Sequence, residues 1–232
     1  MDTEKLIRDV VISVMEKLQS EPKVPQKAVA SQDMGQVKTG NRKIVCGVSV
    51  RHVHLCQEDL DTLFGKGYKL TPLRELYNPG FAAKETVTVV GPKLNALQNV
   101  RILGPLRDRS QVELAKTDCI ILGVDAPVKP SGKLEGTSSA VIVGPKGVVY
   151  LKEGVIRANR HIHMCTEDAN YFGLKDNDEV DVRVPGPKGL TFNNVQVRVA
   201  PDFKTEMHVD TDDANAADIV NGSLVEVVDA SC

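Results

Sequence analysis

A nine-residue segment occurs twice in this chain, and its recurrence limits the possible folds more than any other feature of the sequence. Arg51-His52-Val53-His54-Leu55-Cys56-Gln57-Glu58-Asp59 returns as Arg160-His161-Ile162-His163-Met164-Cys165-Thr166-Glu167-Asp168, with six of nine positions identical. The landmarks that follow keep their order. Gly91-Pro92-Lys93, Asn99-Val100 and Gly104-Pro105 parallel Gly186-Pro187-Lys188, Asn194-Val195 and Ala200-Pro201. Self-similarity on this scale marks a duplicated supersecondary unit. Short β-branched runs bounded by Gly and Pro fall at 44–50, 86–90, 100–103, 119–122, 140–143, 180–184, 195–199 and 224–228. That spacing predicts a mainly β fold, a barrel or a sandwich, rather than an alternating βα array. Two related domains are expected, over 44–145 and 146–232, packed face to face so that equivalent loops meet about a pseudo-twofold axis. Short helices are expected at 57–64, 167–172 and near 212–220.

The first forty residues read differently. Leu6, Ile7, Val10, Val11, Val14, Met15 and Leu18 recur at three- and four-residue steps, which predicts an amphipathic helix over 1–20. Residues 21–43, with Glu21-Pro22, Val24-Pro25 and Gly40-Asn41 and no sustained period, read as a flexible linker. A sticky helix on a polar leash favours docking onto a partner over folding back on its own domain.

Composition narrows the function. With 41% apolar and 26% charged residues, the 232-residue chain has the profile of a water-soluble globular protein. A net charge of −2 gives no general attraction to nucleic acid. The apolar runs are too short to span a membrane, and the acidic opening Met1-Asp2-Thr3-Glu4 lacks an export leader, so the cytoplasm is the expected compartment. Five cysteines without a CxxC pair build neither a disulfide framework nor a thiolate zinc site.

The chemistry lies in the histidines. His52 and His54, like His161 and His163, are two apart, and on an extended strand such residues share one face about 6–7 Å apart, within reach of one metal. Carrying the repeat onward with one inserted residue aligns Val112-Glu113-Leu114 with Met207-His208-Val209. Each half then offers three candidate ligands: His52, His54 and Glu113 in the first, His161, His163 and His208 in the second. This uses all five histidines. Three protein ligands leave positions open for substrate, as in catalytic metal sites. Arg107 and Arg109, just ahead of Glu113, are candidates for a bidentate phosphate contact. No Walker A loop, GxGxxG or GxSxG is present, and Cys56 and Cys165 read as structural.

Several of these segments, taken together, resemble the PduL-type phosphotransacylases, the phosphate propanoyltransferases of bacterial microcompartments. They are residues 47–55, 100–107, 111–113, 160–164 and 206–212, so the likeness spans about 44–228. The resemblance implies two β-barrel domains and the conversion of acyl-CoA plus phosphate into acyl phosphate plus CoA. It also implies two divalent metal ions, usually zinc, one on His52, His54 and Glu113 and the other on His161, His163 and His208. By the same likeness Val48, Ser49, Val50, Lys93, Arg101 and Asn215 contact coenzyme A, and Arg107 holds the phosphate. Val50 stands where relatives often carry Asn. The resemblance further connects an N-terminal helix and linker with microcompartment shell or cargo proteins, hence with the microcompartment lumen. The rival readings are a metal-dependent thioesterase or phosphoesterase and a non-catalytic scaffold with a structural metal. Acetyl and propanoyl substrates both fit, and a homo-oligomer is compatible with the sequence.

Overall fold

A computed structural model describes residues 42–228. The helix expected over 1–20, the expected linker up to residue 41 and Cys232 lie outside the described residues. In chain order the elements are β1 Lys43–Ser49, β2 His52–His54, α1 Gln57–Phe64, β3 Pro72–Glu75, β4 Phe81–Val90, β5 Ala96–Gly104 and β6 Gln111–Glu113. There follow α2 Lys116–Leu122, β7 Val128–Lys129, β8 Ser138–Val143 and β9 Val148–Ala158. The last part holds β10 His161–Met164, α3 Thr166–Phe172, β11 Glu179–Val184, β12 Leu190–Val199, β13 Glu206–Asp210, α4 Thr211–Ala217 and β14 Ser223–Val228.

The strands close into two six-stranded barrels, as the duplication and the resemblance led us to expect. In the first barrel the order is β4-β5-β2-β6-β9-β8, with β8 pairing back onto β4, while β3 and β7 extend it at β4 and β9. In the second it is β1-β13-β10-β12-β11-β14, closed by β1 against β14. Each barrel has its own apolar core: Val53, Leu55, Val100, Ile102, Val112 and Val155 meet in the first, and Cys46, Ile162, Met164, Val182, Val197 and Met207 in the second. Both barrels belong to one compact unit.

The two halves of the sequence are interleaved rather than set end to end. β1, the leading strand of the first repeat, lies in the second barrel, parallel to β13 and antiparallel to β14. β9, the leading strand of the second repeat, lies in the first barrel, parallel to β6 and antiparallel to β8. The repeats therefore exchange their first strands reciprocally, so residues 43–49 and 148–158 sit across the division at 145 that the sequence suggested. The exchange is well anchored. β9 buries Val149, Leu151, Val155 and Ile156, each at most 8% exposed, and burial of four such side chains is worth at most about 6–12 kcal/mol.

Residues 119–122 form the end of α2 instead of the β run the sequence suggested. Cys119 and Leu122 are buried and Ile120 and Ile121 exposed, the i, i+3 spacing of one helix face. Asp118 accepts from the backbone N–H of Ala115 at the start, and Gly123 in the left-handed conformation ends the helix. An apolar run of four residues carries too little periodicity to separate strand from helix. The other three helices lie where expected, α1 over the same residues and α3 and α4 starting one residue earlier. Among the described residues no helix is long and apolar enough to cross a membrane.

Candidate active site between the barrels

Each His-x-His pair occupies a short strand that leads out of an exchanged strand. Alternation places Val53 and Ile162 in the two cores, both fully buried, and turns the flanking histidines to the opposite face. Antiparallel pairing then supplies the third donor: Glu113 stands opposite His52, and His208 stands opposite His161. The alignment of Glu113 with His208 is thus a register equivalence.

In the first set His52 and His54 have ring centroids 5.0 Å apart and nearly perpendicular planes. Glu113 places Oε2 at 3.4 Å from His52 Nε2 and Oε1 at 3.6 Å from His54 Nε2. In the second set the rings of His161, His163 and His208 lie 4.7 to 5.0 Å apart. Within each set one donor atom per residue falls within 4.8 Å of the others. His52 and Glu113 from one set, and His161 and His208 from the other, border a single cleft together with Ser49, Leu114, Ala158, Asn159, Val209 and Asp210.

The donor sets fit a divalent cation. Nδ1 of His52 lies 2.9 Å from the carbonyl of Val50, and Nδ1 of His161 lies 2.9 Å from that of Asn159. A proton on Nδ1 donated to that carbonyl leaves the Nε2 lone pair facing the cleft. Nδ1 of His54 and of His163, the same position of each repeat, is buried with no hydrogen-bond partner. An orphaned buried nitrogen costs about 1–3 kcal/mol. Its repetition at equivalent positions is what a site adapted to a further binding partner would show. Burial keeps three of these rings neutral and able to donate a lone pair, pushing His54 down to about 4, His163 to about 2 and His208 to about 3, whereas at His52 the lowering by burial is outweighed by Glu113 beside it, which raises that ring. Burial would raise Glu113, but His52 and His54 beside it hold its carboxyl well below the usual range.

Arg107 and Arg109 separate clearly. Arg109 pairs with Glu135 at 3.0 Å and Glu153 at 3.6 Å on the outside. Arg107 is partly buried and donates from Nη1 to Ser131 Oγ at 2.8 Å, and that hydroxyl donates onward to Glu113 Oε1 at 2.7 Å. Of the positions carried over for coenzyme A, Ser49 borders the cleft. Val48 precedes it, with its N–H donated to Asn221 Oδ1 at 2.7 Å, and Val50 is exposed at the crossover from β1 to β2. Arg101 lies opposite His52 but spends Nη1 on the carbonyls of Ala83 and Lys84. Lys93 is exposed in the turn between β4 and β5, and Asn215 is exposed on α4, where its carbonyl accepts from Lys188.

Sequence reasoning passed over several groups that support the donors. Gln111 donates to Glu113 Oε1 at 2.5 Å and to Ser131 at 2.9 Å. Its equivalent in the repeat is Glu206, for Gln111 stands opposite His54 as Glu206 stands opposite His163. Both lie two residues before a donor on the same strand face, a signal that was readable. Asn78, which contacts Glu206 and His208 from the loop after β3, has no counterpart in the repeat and no such signal.

Known proteins match the chain over most of its described length. The family model described as phosphate propanoyltransferase matches residues 45–220. The chain is 56% identical over 188 residues to a phosphate propanoyltransferase of Thermotoga maritima, covering 80% of this chain and 89% of that protein. It is 50% identical over 197 residues to one of Lachnoclostridium phytofermentans, covering 85% and 92%. A Clostridioides difficile protein of the same name is 48% identical over 181 residues, covering 78% and 86%. With a duplicated barrel carrying paired donor sets and matches of this extent, the chain belongs to the phosphate propanoyltransferase family of acyltransferases.

Proposed function

We propose that this chain is a phosphotransacylase that converts a short-chain acyl-CoA, propanoyl or acetyl, and inorganic phosphate into acyl phosphate and CoA by direct attack of phosphate on the thioester. The observation that carries the reading is that both donor sets border the same cleft. One divalent ion, zinc by the chemistry of the donors, would rest on His52, His54 and Glu113, and a second on His161, His163 and His208. Such ions supply Lewis acidity toward the CoA sulfur and the phosphate oxygens. The remaining work falls to the chain. Arg107, oriented through Ser131, keeps guanidinium N–H groups for a phosphate oxygen and offsets the anion's charge as it approaches the carbonyl carbon. A phosphate oxygen forms the new C–O bond, the C–S bond breaks, and the sulfur leaves with the electron pair and is protonated as CoA thiol. The cleft holds both reactants in attack geometry without an acyl-enzyme.

Coenzyme A would run along Val48, Ser49 and Val50, with Lys93, Arg101 and Asn215 as further contacts. The carbonyl of Val50 already accepts from His52 and the N–H of Val48 is engaged by Asn221, so neither of these backbone groups is left for coenzyme A. Residues 1–20 would dock on microcompartment shell or cargo proteins and place the enzyme in the lumen. The test is phosphate-dependent release of CoA thiol from propanoyl- and acetyl-CoA, with metal content measured on the same sample. Thiol release that ignores phosphate, or full activity without bound metal, would refute the reading. Arg107→Ala should raise the KM for phosphate about 10- to 100-fold, the equivalent of a lost charge-assisted bond, while Arg109→Ala should leave it unchanged.

A further inference from the structure

The two donor sets are not chemically alike, because the carboxylate has moved by one alternation along the strand. Gln111-Val112-Glu113 puts it among the donors, whereas Glu206-Met207-His208 puts it behind one. Three parts of the chain hold Glu206 in that place. Its Oε2 lies 3.2 Å from His208 Nε2. Asn78 Nδ2, from the loop between β3 and β4 of the first barrel, lies 3.4 Å from Glu206 Oε2 and 3.4 Å from His208 Nε2. Asn78 is itself fixed, since its Oδ1 accepts from the N–H of Lys204 at 3.0 Å, and it is only 8% exposed. The third part is β1, where Gly47 stands opposite His208. A Cβ at Gly47 would lie 2.7 Å from Glu206 Oε1, so the missing side chain makes the space the carboxylate fills. At the equivalent position of the first barrel, opposite Glu113, the residue is Ile156.

We infer that Glu206, seated against Gly47 and held by Asn78, is a positioning residue that fixes the ring orientation and tautomer of His208 for ion binding at the second donor set. This rests on the reading that His161, His163 and His208 hold a metal. At 3.2 Å the Glu206 carboxylate faces His208 Nε2, which leaves Nδ1 as the ring nitrogen for an ion. A carboxylate behind an imidazole also raises its basicity, and loss of such an outer partner typically weakens metal binding 10- to 100-fold. The first set has no equivalent need, because its own carboxylate is a donor and Gln111 stands behind it. Two barrels meet at this contact, so Asn78 links occupancy of the second set to the docking of the first barrel's loop.

The experiment titrates metal-free, full-length protein with Co²⁺ and reads the two binding steps by visible absorption and by competition with a chelator. In the wild type, His163→Ala identifies which step belongs to the second set. Glu206→Gln, of the same size, should weaken that step about tenfold and Glu206→Ala up to about a hundredfold, with the other step unchanged. Gly47→Ala should reproduce the weakening without touching a donor, and should add nothing in a Glu206→Ala background, a non-additivity that loss of packing alone would not give. Co²⁺ affinities unchanged from wild type at both steps in Glu206→Gln and Glu206→Ala would overturn the inference while leaving two-ion binding intact. Wild-type protein that takes up no second ion would overturn both this inference and the reading beneath it. Melting of each metal-free variant reports whether it has folded, and the Gly47→Ala cycle decides the matter if Glu206→Gln has not.

Discussion

Two ion pairs occupy equivalent places in the two repeats, and the structure assigns them unequal weight. Arg51 and Arg160 each precede a His-x-His strand, and each reaches the aspartate five residues beyond the third donor. Arg51 Nη1 lies 2.6 Å from Asp118 Oδ1, with the aspartate side chain 4% exposed, and the other carboxylate oxygen accepts from Ala115 at the start of α2. Arg160 Nη1 lies 3.2 Å from Asp213 Oδ1, with the aspartate 24% exposed. Asp213 is pushed above the usual carboxylate range, first by burial and then by the neighbouring Asp210, so its charge is held at a cost. Asp118→Asn removes the anion from a short charge-assisted bond, worth about 1.5–3 kcal/mol. The exposed part of Arg51 can rehydrate, so the net loss should be about 2 kcal/mol. Asp213→Asn should cost about 0–1 kcal/mol, the range for a partly exposed pair, because it also relieves repulsion from Asp210. At about 2–4 °C per kcal/mol for a domain of this size, calorimetry on metal-free protein should show a drop of about 4–8 °C for Asp118→Asn. For Asp213→Asn the shift should stay within about 4 °C. An equal or larger loss in Asp213→Asn would refute the argument from burial and repulsion.

Other outcomes follow from the same geometry. His54, His163 and His208 sit at about 4, 2 and 3, below the unfolded value near 6.5, while burial pushes Glu206 up to about 7 and offsets one of them, so the unfolded chain still binds more protons in that interval and stability rises with pH. The urea midpoint of metal-free protein should therefore fall as pH is lowered from about 7 to about 5. The limit is about 1.4 kcal/mol per pH unit for each imidazole, and a flat profile would contradict the assigned burial. Burial pushes the Cys46 thiol up to about 12 and raises Cys119, so in the native state iodoacetamide should spare both and label the partly exposed Cys56 and Cys165 ahead of them, as peptide mass mapping would show. Cutting the chain between 145 and 146 leaves one fragment without β9 and the other without β1. Each alone should lack native circular dichroism and the mixture should recover it, whereas two independently folded halves would rule out the exchange.

The clustering of these six side chains was legible because a strand writes its geometry into the sequence at period two, and the duplication supplied the register that ties Glu113 and His208 to the paired histidines. The exchange of β1 and β9 was not, since the Ile44-Val45-Cys46 run says that a strand is buried but not in which barrel. The end of α2 at Cys119–Leu122 was misread because its β-branched pair is helical only by virtue of Asp118 at one end and Gly123 at the other. Arg107 and Arg109 could not be told apart, because Glu135 and Glu153, which occupy Arg109, lie 26 and more residues away. Asn78 was invisible for the same reason, its partners being 128 and 130 residues distant.

Strand exchange also explains why duplication yields one cleft and not two separate sites. Two barrels joined only by a chain segment would be free to move against each other, the default for domains with a small interface. Here β1 enters the second barrel and then turns at Val50 to start β2 of the first, and β9 enters the first and turns at Asn159 to start β10 of the second. The two crossings run in opposite senses between the barrels. Ser49 and Asn159, at the ends of those crossings, both line the cleft. The carbonyls of Val50 and Asn159 receive Nδ1 of His52 and His161, so the peptides that join the barrels also set the tautomers of the first donor in each set. Separating the barrels would require β1 to leave β13 and β14, or β9 to leave β6 and β8, at a cost in buried apolar surface far above thermal energy. The spacing of the two donor sets is therefore fixed by the same hydrogen-bond ladders that close the barrels, and the cleft they border is shaped before any ligand arrives.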